Sequence, residues 1–176
     1  IGKSISPAFP GGFVTSMFSV IVPIYLIQLM TETGATISPA DIAFLASVVL
    51  LPWAVKFLFG IFSDKYGIKR FGRRKPWIII PVCFSGFCWI ILPFLITPQN
   101  VVLLITVFGV LIITGVAMGD TALDGLILDI APKEFLGQAQ GTCWGFRSVG
   151  QIAGGPIMAV LVVFLDAPVE SMFILL

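Results

Sequence analysis

Five long apolar runs follow one another along this chain, and short polar segments separate them. A helix rises ~1.5 Å per residue, so about 20 apolar residues cross the ~30 Å hydrocarbon core of a bilayer. The pattern therefore predicts an all-α membrane protein with five complete transmembrane helices and the start of a sixth. The five predicted spans cover residues 9–30, 38–64, 76–96, 101–130 and 134–165, and the sixth begins near residue 168.

Two of these boundaries carry specific end signals. The second span begins at Ser38, with Pro39 and Asp41 close behind. This order is typical of an N-cap, a proline at the first helical position and an acidic residue at the third. The fourth run keeps a helical pattern up to residue 130, where Ala131 and Pro132 end it because proline cannot continue a helix.

The composition agrees with a membrane protein. Hydrophobic residues make up 58% of the chain, charged residues make up 11%, and the mean hydropathy is +1.09. Histidine is absent, and the three cysteines lie inside apolar runs, so we expect no metal site, no disulfide framework and no cofactor. The sequence also lacks a nucleophile elbow and a phosphate-binding glycine loop, which argues against an enzyme. The chain begins with Ile1 and ends inside an apolar run, so we expect it to be part of a longer polypeptide.

Lysine and arginine are distributed unevenly between the two ends of the predicted spans. The segments 31–40, 97–100 and 166–170 contain neither residue. Lys3, Lys133 and the basic turn between the second and third spans all lie on the opposite side. By the positive-inside rule, the N-terminus and the basic turn are cytoplasmic. In a prokaryote the membrane would be the plasma (inner) membrane. The basic turn could also serve only to set this topology and to contact anionic lipid.

Four ionisable residues fall inside the predicted spans: Lys56 in the second, Asp120 and Asp124 in the fourth, and Arg147 in the fifth. Such residues are costly in a bilayer and usually face a bundle interior or an aqueous cavity. Counted from Lys133, Asp120 lies thirteen residues away along the fourth span and Arg147 fourteen along the fifth. Lys56 and Asp124 each lie nine residues from a lysine at the cytoplasmic end of their span. The spacing therefore predicts a cluster of two cations and two carboxylates at matched depths.

The predicted cluster could act in two ways. Burial raises the pKa of a carboxylate and a nearby cation lowers it, so a carboxylate whose partner can be withdrawn changes its protonation. Such a change is the basis of proton-coupled transport, and we favour Asp120 with Arg147 as the substrate or proton pair. Lys56 with Asp124 fits a structural pair better. The alternative is a static network of buried salt bridges that only orients the helices.

The fifth span carries two further patterns. Its polar side chains share one face, where they could bind substrate along a cavity wall or pack between helices; they are Gln140, Trp144, Arg147 and Gln151. On another face, glycines recur every fourth residue at positions 137, 141 and 145, and again at 150 and 154. Small residues at this spacing allow helix backbones to approach closely.

The basic turn has a distinctive sequence. Gly60-x-x-x-Asp64-Lys65-x-Gly67, followed by Arg73-Arg74, resembles the signature loop between the second and third helices of the major facilitator superfamily (MFS). We interpret this loop as a cytoplasmic gate with Gly60, Asp64, Gly67, Arg73 and Arg74 as its candidate residues. The two arginines are placed to pair with carboxylates near the inner end of the fourth span, such as Asp129 or Glu134.

Longer segments resemble one branch of that superfamily. Three segments are similar to the branch with muropeptide permeases, acetyl-CoA transporters and folate–biopterin transporters. They are the run from Leu51-Pro52-Trp53 to Gly60, Asp120-x-x-x-Asp124-Gly, and Cys143-Trp144-Gly. The resemblance implies that residues 1–176 form the N-terminal six-helix bundle of such a protein, incomplete in the sixth helix. The C-terminal bundle would then be absent from this chain.

The resemblance and the buried charges together predict a secondary active transporter, not an enzyme. It would move an organic, anionic solute by alternating access, as a symporter coupled to protons rather than sodium. Arg147 would bind the anionic group and Trp144 a ring. The expected partners are the small solute, the proton, the bilayer and the missing C-terminal half, with no nucleic acid. Light-harvesting assembly proteins also resemble this branch, so the alternative is a non-transporting membrane scaffold or assembly factor.

Overall fold

The computed structural model describes residues 8–33, 37–66, 74–97 and 99–165. Within these residues, five helices are long and apolar enough to cross a membrane, which confirms the predicted all-α fold. We number them spans 1 to 5, and they cover Ala8–Thr31, Pro39–Lys65, Lys75–Leu95, Val101–Ile130 and Lys133–Val162. The predicted start of a sixth span, near residue 168, lies outside the described residues.

Spans 1 and 2 are divided into shorter helices. Span 1 consists of an α-helix over Ala8–Ser16, a wider π-helical turn over Met17–Ile21 and a second α-helix over Val22–Thr33. Span 2 consists of two α-helices, Pro39–Ala54 and Lys56–Lys65, which meet at Val55. Spans 3 and 4 are continuous helices.

Span 5 is also divided. Its segments are a 3₁₀ turn over Lys133–Phe135, an α-helix over Leu136–Ile152, a π-helical turn over Ala153–Ile157 and an α-helix over Met158–Leu165. Each irregularity in spans 1, 2 and 5 has a proline nearby: Pro23, Pro52 and Pro156. Proline removes an amide donor from the helical ladder and displaces the preceding turn, which gives a local cause for the wider turns before Pro23 and around Pro156.

The predicted helix ends are present. Ser38 accepts hydrogen bonds from the amides of Ala40 and Asp41, and the Asp41 carboxylate accepts one from the Ser38 amide at 2.9 Å. This reciprocal pair is a capping box, and it satisfies amides that the first helical turn leaves unpaired. At the other predicted boundary, Ala131 has extended backbone angles and ends span 4 before Pro132.

Span 4 lies at the centre of the described bundle. It packs against span 3 on one side and against both helices of span 2 on another, while span 5 packs mainly against span 1. Small residues permit the closest contacts. A side chain at Gly115 would overlap the backbone of Pro81 and the hydroxyl of Ser85 in span 3. Ser85 also donates a 2.8 Å hydrogen bond to the carbonyl of Ile112, so spans 3 and 4 are joined by a polar contact inside the bundle.

Two apolar clusters fill the bundle at different heights. The larger one is formed mainly by spans 1 to 4, around Ile21, Leu26, Leu45, Leu92 and Ile105, and span 5 adds Val162. The smaller one lies nearer the ends of spans 4 and 5 that meet at Pro132, and it includes Leu123, Ile127 and Cys143. Many large apolar side chains instead point outward along every span. An apolar outer surface of this kind is compatible with lipid tails rather than water.

Candidate functional site

Close packing of spans 1 and 5 fixes the position of Arg147. A side chain at Gly12 would overlap the backbone carbonyl of Arg147, and one at Gly150 would overlap the carbonyl of Phe9. The two backbones can therefore approach only because these positions have no Cβ atom. This close approach confirms the predicted role of the glycine at position 150.

The glycines on the opposite face of span 5 have a different environment. Those at positions 137, 141 and 145 meet no other part of the described chain, since a Cβ atom added at any of them would have no neighbour within 4 Å. A close helix contact on this face therefore stays a prediction.

The break in span 2 positions Lys56. Val55 has φ −100° and ψ 10°, and Lys56 begins the next helix, which faces span 4. Its Nζ lies 3.8 Å from Oδ2 of Asp120 and 3.9 Å from Oδ2 of Asp124. The two aspartates are one helical turn apart, so a single ammonium group reaches both.

Arg147 completes the cluster from the other side. Its Nη2 contacts Oδ1 of Asp120, and both residues are buried, at 4% and 7% exposure. The structure thus brings together all four charged residues that the sequence placed at matched depths. It differs from the expected pairing in one respect. Lys56 contacts both carboxylates, so Asp120 is shared between two cations and the cluster is one network instead of two separate pairs.

Two indole rings surround the cations. Cζ of Arg147 lies 4.3 Å from the centre of the Trp144 ring and 5.8 Å from that of Trp53. Nζ of Lys56 lies 5.6 Å from the same Trp53 ring. Cations over an aromatic face are attracted by its quadrupole, more strongly where water is excluded. Trp144 was predicted here from its place on span 5. Trp53 was not, although its position three residues before Lys56 puts both on one helix face and could have indicated it.

Several buried polar atoms of this network lack a hydrogen-bond partner among the described residues. They are Nε1 of Trp53, Oδ1 of Asp124 and Nε of Arg147. Buried polar groups in native structures are usually paired, so unpaired ones in a cluster indicate a place for water or ligand.

The two predicted glutamines are not part of this network. Gln140 is half-buried one turn before Trp144, and Gln151 is exposed one turn after Arg147. Gln151 lines a separate groove between spans 1 and 5. A second cavity of about 450 Å³ opens between spans 1, 3 and 4 and reaches Asp120, but its lining is almost entirely apolar.

The predicted gate residues are partly described. Arg74 bridges two carboxylates: its Nη2 lies 2.7 Å from Oδ1 of Asp64, and its Nε lies 2.6 Å from Oδ2 of Asp129. The predicted pairing of Arg74 with Asp129 is therefore confirmed. A Cβ atom at Gly125 would overlap the Arg74 guanidinium, so this glycine makes room for it.

The remaining gate residues divide into described and undescribed positions. Gly60 brings span 2 close to span 4, since its Cβ would lie 3.3 Å from Cγ2 of Thr121. Gly67 and Arg73 lie outside the described residues. The gate function of the whole set stays a prediction.

The sequence model of the Major Facilitator Superfamily matches residues 8–176 of the chain. The chain therefore belongs to this superfamily, as the basic turn predicted. With its five apolar spans, it is an integral, multi-pass membrane protein.

Similar proteins support the predicted branch. "Probable folate-biopterin transporter 4" of Arabidopsis thaliana is 31% identical over 67% of this chain and 24% of its own length. "Folate-biopterin transporter" of Synechocystis sp. is 29% identical over 70% of this chain and 24% of its own length. "Putative transporter AmpG 1" of Rickettsia conorii is 35% identical over 68% of this chain and 29% of its own length. No solved structure matches the chain.

The matched part is a fraction of these relatives. The chain spans about a quarter of the length of the curated relatives it matches. All three relatives are named as transporters and none as an enzyme, in agreement with the predicted class.

Proposed function

We propose that this chain is the N-terminal bundle of a secondary transporter that moves an organic anion across a membrane by alternating access, coupled to protons. The observation that carries the proposal is the network in which Lys56, Asp120, Asp124 and Arg147 meet inside the bilayer. Ionisable side chains are rare there, and they commonly mark pathways for substrates or protons. The names of the relatives support a transported organic solute.

Arg147 is the group best placed to bind the anionic part of the solute. Its guanidinium contacts one oxygen of Asp120, and its Nε has no hydrogen-bond partner within the described part of the chain. A guanidinium binds carboxylates and phosphates through several N–H donors in one plane. An incoming anion can therefore use the donors that Asp120 leaves open.

Proton coupling follows from the shared position of Asp120. A solute anion on the open donors of Arg147 neutralises the guanidinium and adds a second negative charge beside Asp120. The cation that still compensates Asp120 is then Lys56, whose Nζ lies 3.8 Å away and is shared with Asp124. A buried carboxylate without a close cation is costly, and a proton can neutralise it. Solute binding and proton binding then favour each other, which is the thermodynamic requirement for symport.

An aromatic part of the solute has a place beside this anion site. One face of the Trp144 ring stacks on Arg147, and the residue is 54% exposed, so the other face is open. Aromatic rings stack on one another with offset or edge-to-face geometry. Folate combines a planar pterin ring with carboxylates, and biopterin has the ring without them. Folate therefore suits both the anion site and the ring site, whereas biopterin suits the ring site alone.

Alternating access would use the contact of Arg74 with Asp64 and Asp129. These ion pairs tie together the inner ends of spans 2, 3 and 4. We place this end and the N-terminus in the cytoplasm. Both carboxylates are about half exposed, so solvent screens each pair and its contribution is only ~0–1 kcal/mol. The pairs therefore bias the balance between two conformations rather than lock one of them.

Uptake into proteoliposomes tests the coupling. Full-length protein is reconstituted, and the probe is folate, or the best ligand in a thermal-shift screen of pterins, amino sugars, acyl-CoA and oligosaccharides. We expect an inward proton gradient to accelerate uptake by the wild type. Asp120→Asn keeps an acceptor for Arg147 but cannot exchange a proton, so its uptake should no longer respond to the gradient.

The control is Glu134→Gln, which removes a carboxylate from an exposed position before the α-helix of span 5. This variant should respond to the gradient like the wild type. An undiminished response in Asp120→Asn would remove Asp120 from the coupling mechanism.

A further inference from the structure

A polar groove lies beside the ion-pair network, between spans 1 and 5. Its volume is about 420 Å³. Five of the seven residues that line it are uncharged polar residues; the seven are Thr15, Ser16, Ser19, Ser148, Gln151, Ile152 and Pro156. Polar side chains facing lipid are unfavourable, so their grouping on one groove indicates contact with water or a polar ligand.

The hydrogen bonds of the groove determine what it can bind. The Thr15 hydroxyl donates to the carbonyl of Gly11 at 2.8 Å, and the Ser19 hydroxyl donates to the carbonyl of Thr15 at 2.9 Å. Each hydroxyl has one proton to donate, so both oxygens are left as acceptors towards the groove. The wall that span 1 contributes to the groove therefore offers acceptors.

The two π-helical turns hold this groove in place. Met17–Ile21 of span 1 packs against Ala153–Ile157 of span 5. A Cβ atom at Gly154 would overlap the backbone of Phe13, and one at Gly155 would overlap the Ser16 hydroxyl. The walls of the groove are thus in direct contact at its base. Wider turns of this kind are frequent at functional sites.

The groove is also at a defined distance from the anion site. Ser148 follows Arg147 directly, and Gln151 lies four residues beyond Arg147. At ~1.5 Å per residue, Gln151 is about 6 Å along the helix axis from Arg147. One small organic solute can therefore reach both places.

We infer that this groove is a second subsite, which receives an uncharged part of the solute that donates hydrogen bonds, such as amino, amide N–H or hydroxyl groups. The inference rests on the proposed transport function, in which Arg147 holds the anionic part of the same molecule. The hydroxyl oxygens of Thr15 and Ser19 select donors, and the absence of charged groups among the lining residues selects a neutral group.

The first test asks whether water reaches the groove in the complete protein. Ser19→Cys and Ser148→Cys are made in full-length protein without other cysteines and treated in proteoliposomes with a charged methanethiosulfonate reagent. The control is Ile80→Cys, at an outward-facing position of span 3 that is 64% exposed. Groove cysteines should react at least about tenfold faster than the control, because only the thiolate is nucleophilic and apolar surroundings suppress it. Equal rates would overturn the inference.

The second test measures binding of folate and biopterin to the detergent-solubilised full-length protein by calorimetry. Thr15→Val keeps the shape of the side chain and removes the acceptor. It should weaken binding of both probes about fivefold, the effect of one neutral hydrogen bond. The control is Thr106→Val, which removes an equivalent hydroxyl, bonded at 2.7 Å to the carbonyl of Val102 in span 4. Its affinities should match those of the wild type.

The outcomes separate the subsite from the anion site. Arg147→Gln removes the guanidinium of the anion site, so it should weaken folate binding and leave biopterin binding unchanged, since biopterin has no carboxylate. If Thr15→Val binds both probes as tightly as Thr106→Val, the subsite is wrong while the anion site stands. If neither probe binds the wild type, pterins are not the substrate class. In that case the labelling test decides on the groove, and equal labelling of the groove and control cysteines would reject it.

Discussion

The contact between Asp120 and Arg147 predicts an asymmetric loss of stability when either partner is removed. Asp120 contacts two cations, whereas among the described residues Asp120 is the one carboxylate in contact with Arg147. Asp120→Ala therefore leaves a buried guanidinium, 4% exposed, without an anion. Removing one partner of a buried pair costs ~3–5 kcal/mol, because the other charge remains desolvated.

The reverse change should cost less. Arg147→Gln leaves Asp120 with Lys56 at 3.8 Å, and the Lys56 side chain is 37% exposed, so part of its charge is already screened by solvent. The loss is then closer to that of one charged hydrogen bond, ~1.5–3 kcal/mol. The double variant has no unpaired guanidinium. We expect it to be more stable than Asp120→Ala alone, with a coupling energy of ~1–3 kcal/mol.

The assay is a double-mutant cycle on full-length protein in detergent micelles, with denaturant unfolding followed by circular dichroism. The four proteins are the wild type, the two single variants and the double variant. If the two single losses add to within ~0.5 kcal/mol in the double variant, the two side chains are not coupled. Equal losses for the two single variants would contradict the claim that Asp120 is shared between two cations.

Three further changes test the packing and the gate. Gly12→Ala should lower the unfolding free energy by ~1–3 kcal/mol, because its Cβ would overlap a carbonyl of span 5. The control Gly141→Ala has open space around its Cβ and should be neutral or stabilising. Equal melting temperatures of the two variants would contradict this reasoning. Gly125→Ala should displace Arg74 and weaken each of its two ion pairs by up to ~1 kcal/mol. The fraction of inward-open protein should then rise, and the accessibility of cysteines from the two sides of the membrane measures that fraction. Ser85→Ala loses the 2.8 Å bond between spans 3 and 4 and should lower the unfolding free energy by ~1 kcal/mol, so an unchanged thermal midpoint would argue against that bond.

Much of the fold could be predicted from the sequence because it depends on local patterns. The length of each apolar run, the Ser38 capping box and the proline after Ala131 define helices and their ends without reference to tertiary contacts. The depth of each buried charge was also predictable. A helix that crosses a bilayer advances by a fixed rise per residue, so counting from a loop gives the height of Asp120 or Arg147.

Other features of the site depended on the direction in which each side chain points. The break at Val55 and the π-helical turns change the rotation of a helix about its axis, and a hydrophobic pattern does not record such changes. The partners of Trp53 across the bundle depended on this rotation, since its ring reaches Arg147 of span 5 as well as Lys56. Gln151 lies in the groove with Thr15 because span 1 packs against that part of span 5.

The sequence by itself determined the family, the five spans and the height of every buried charge, since these follow from composition and from rise along one axis. Only the tertiary structure decided that Lys56 reaches both aspartates, that two indole rings enclose the cations and that hydroxyls from spans 1 and 5 share one groove. These contacts depend on how helices rotate and approach one another. That arrangement is set by glycine contacts such as Gly12 against span 5 and by the irregular turns, which act between elements distant in sequence.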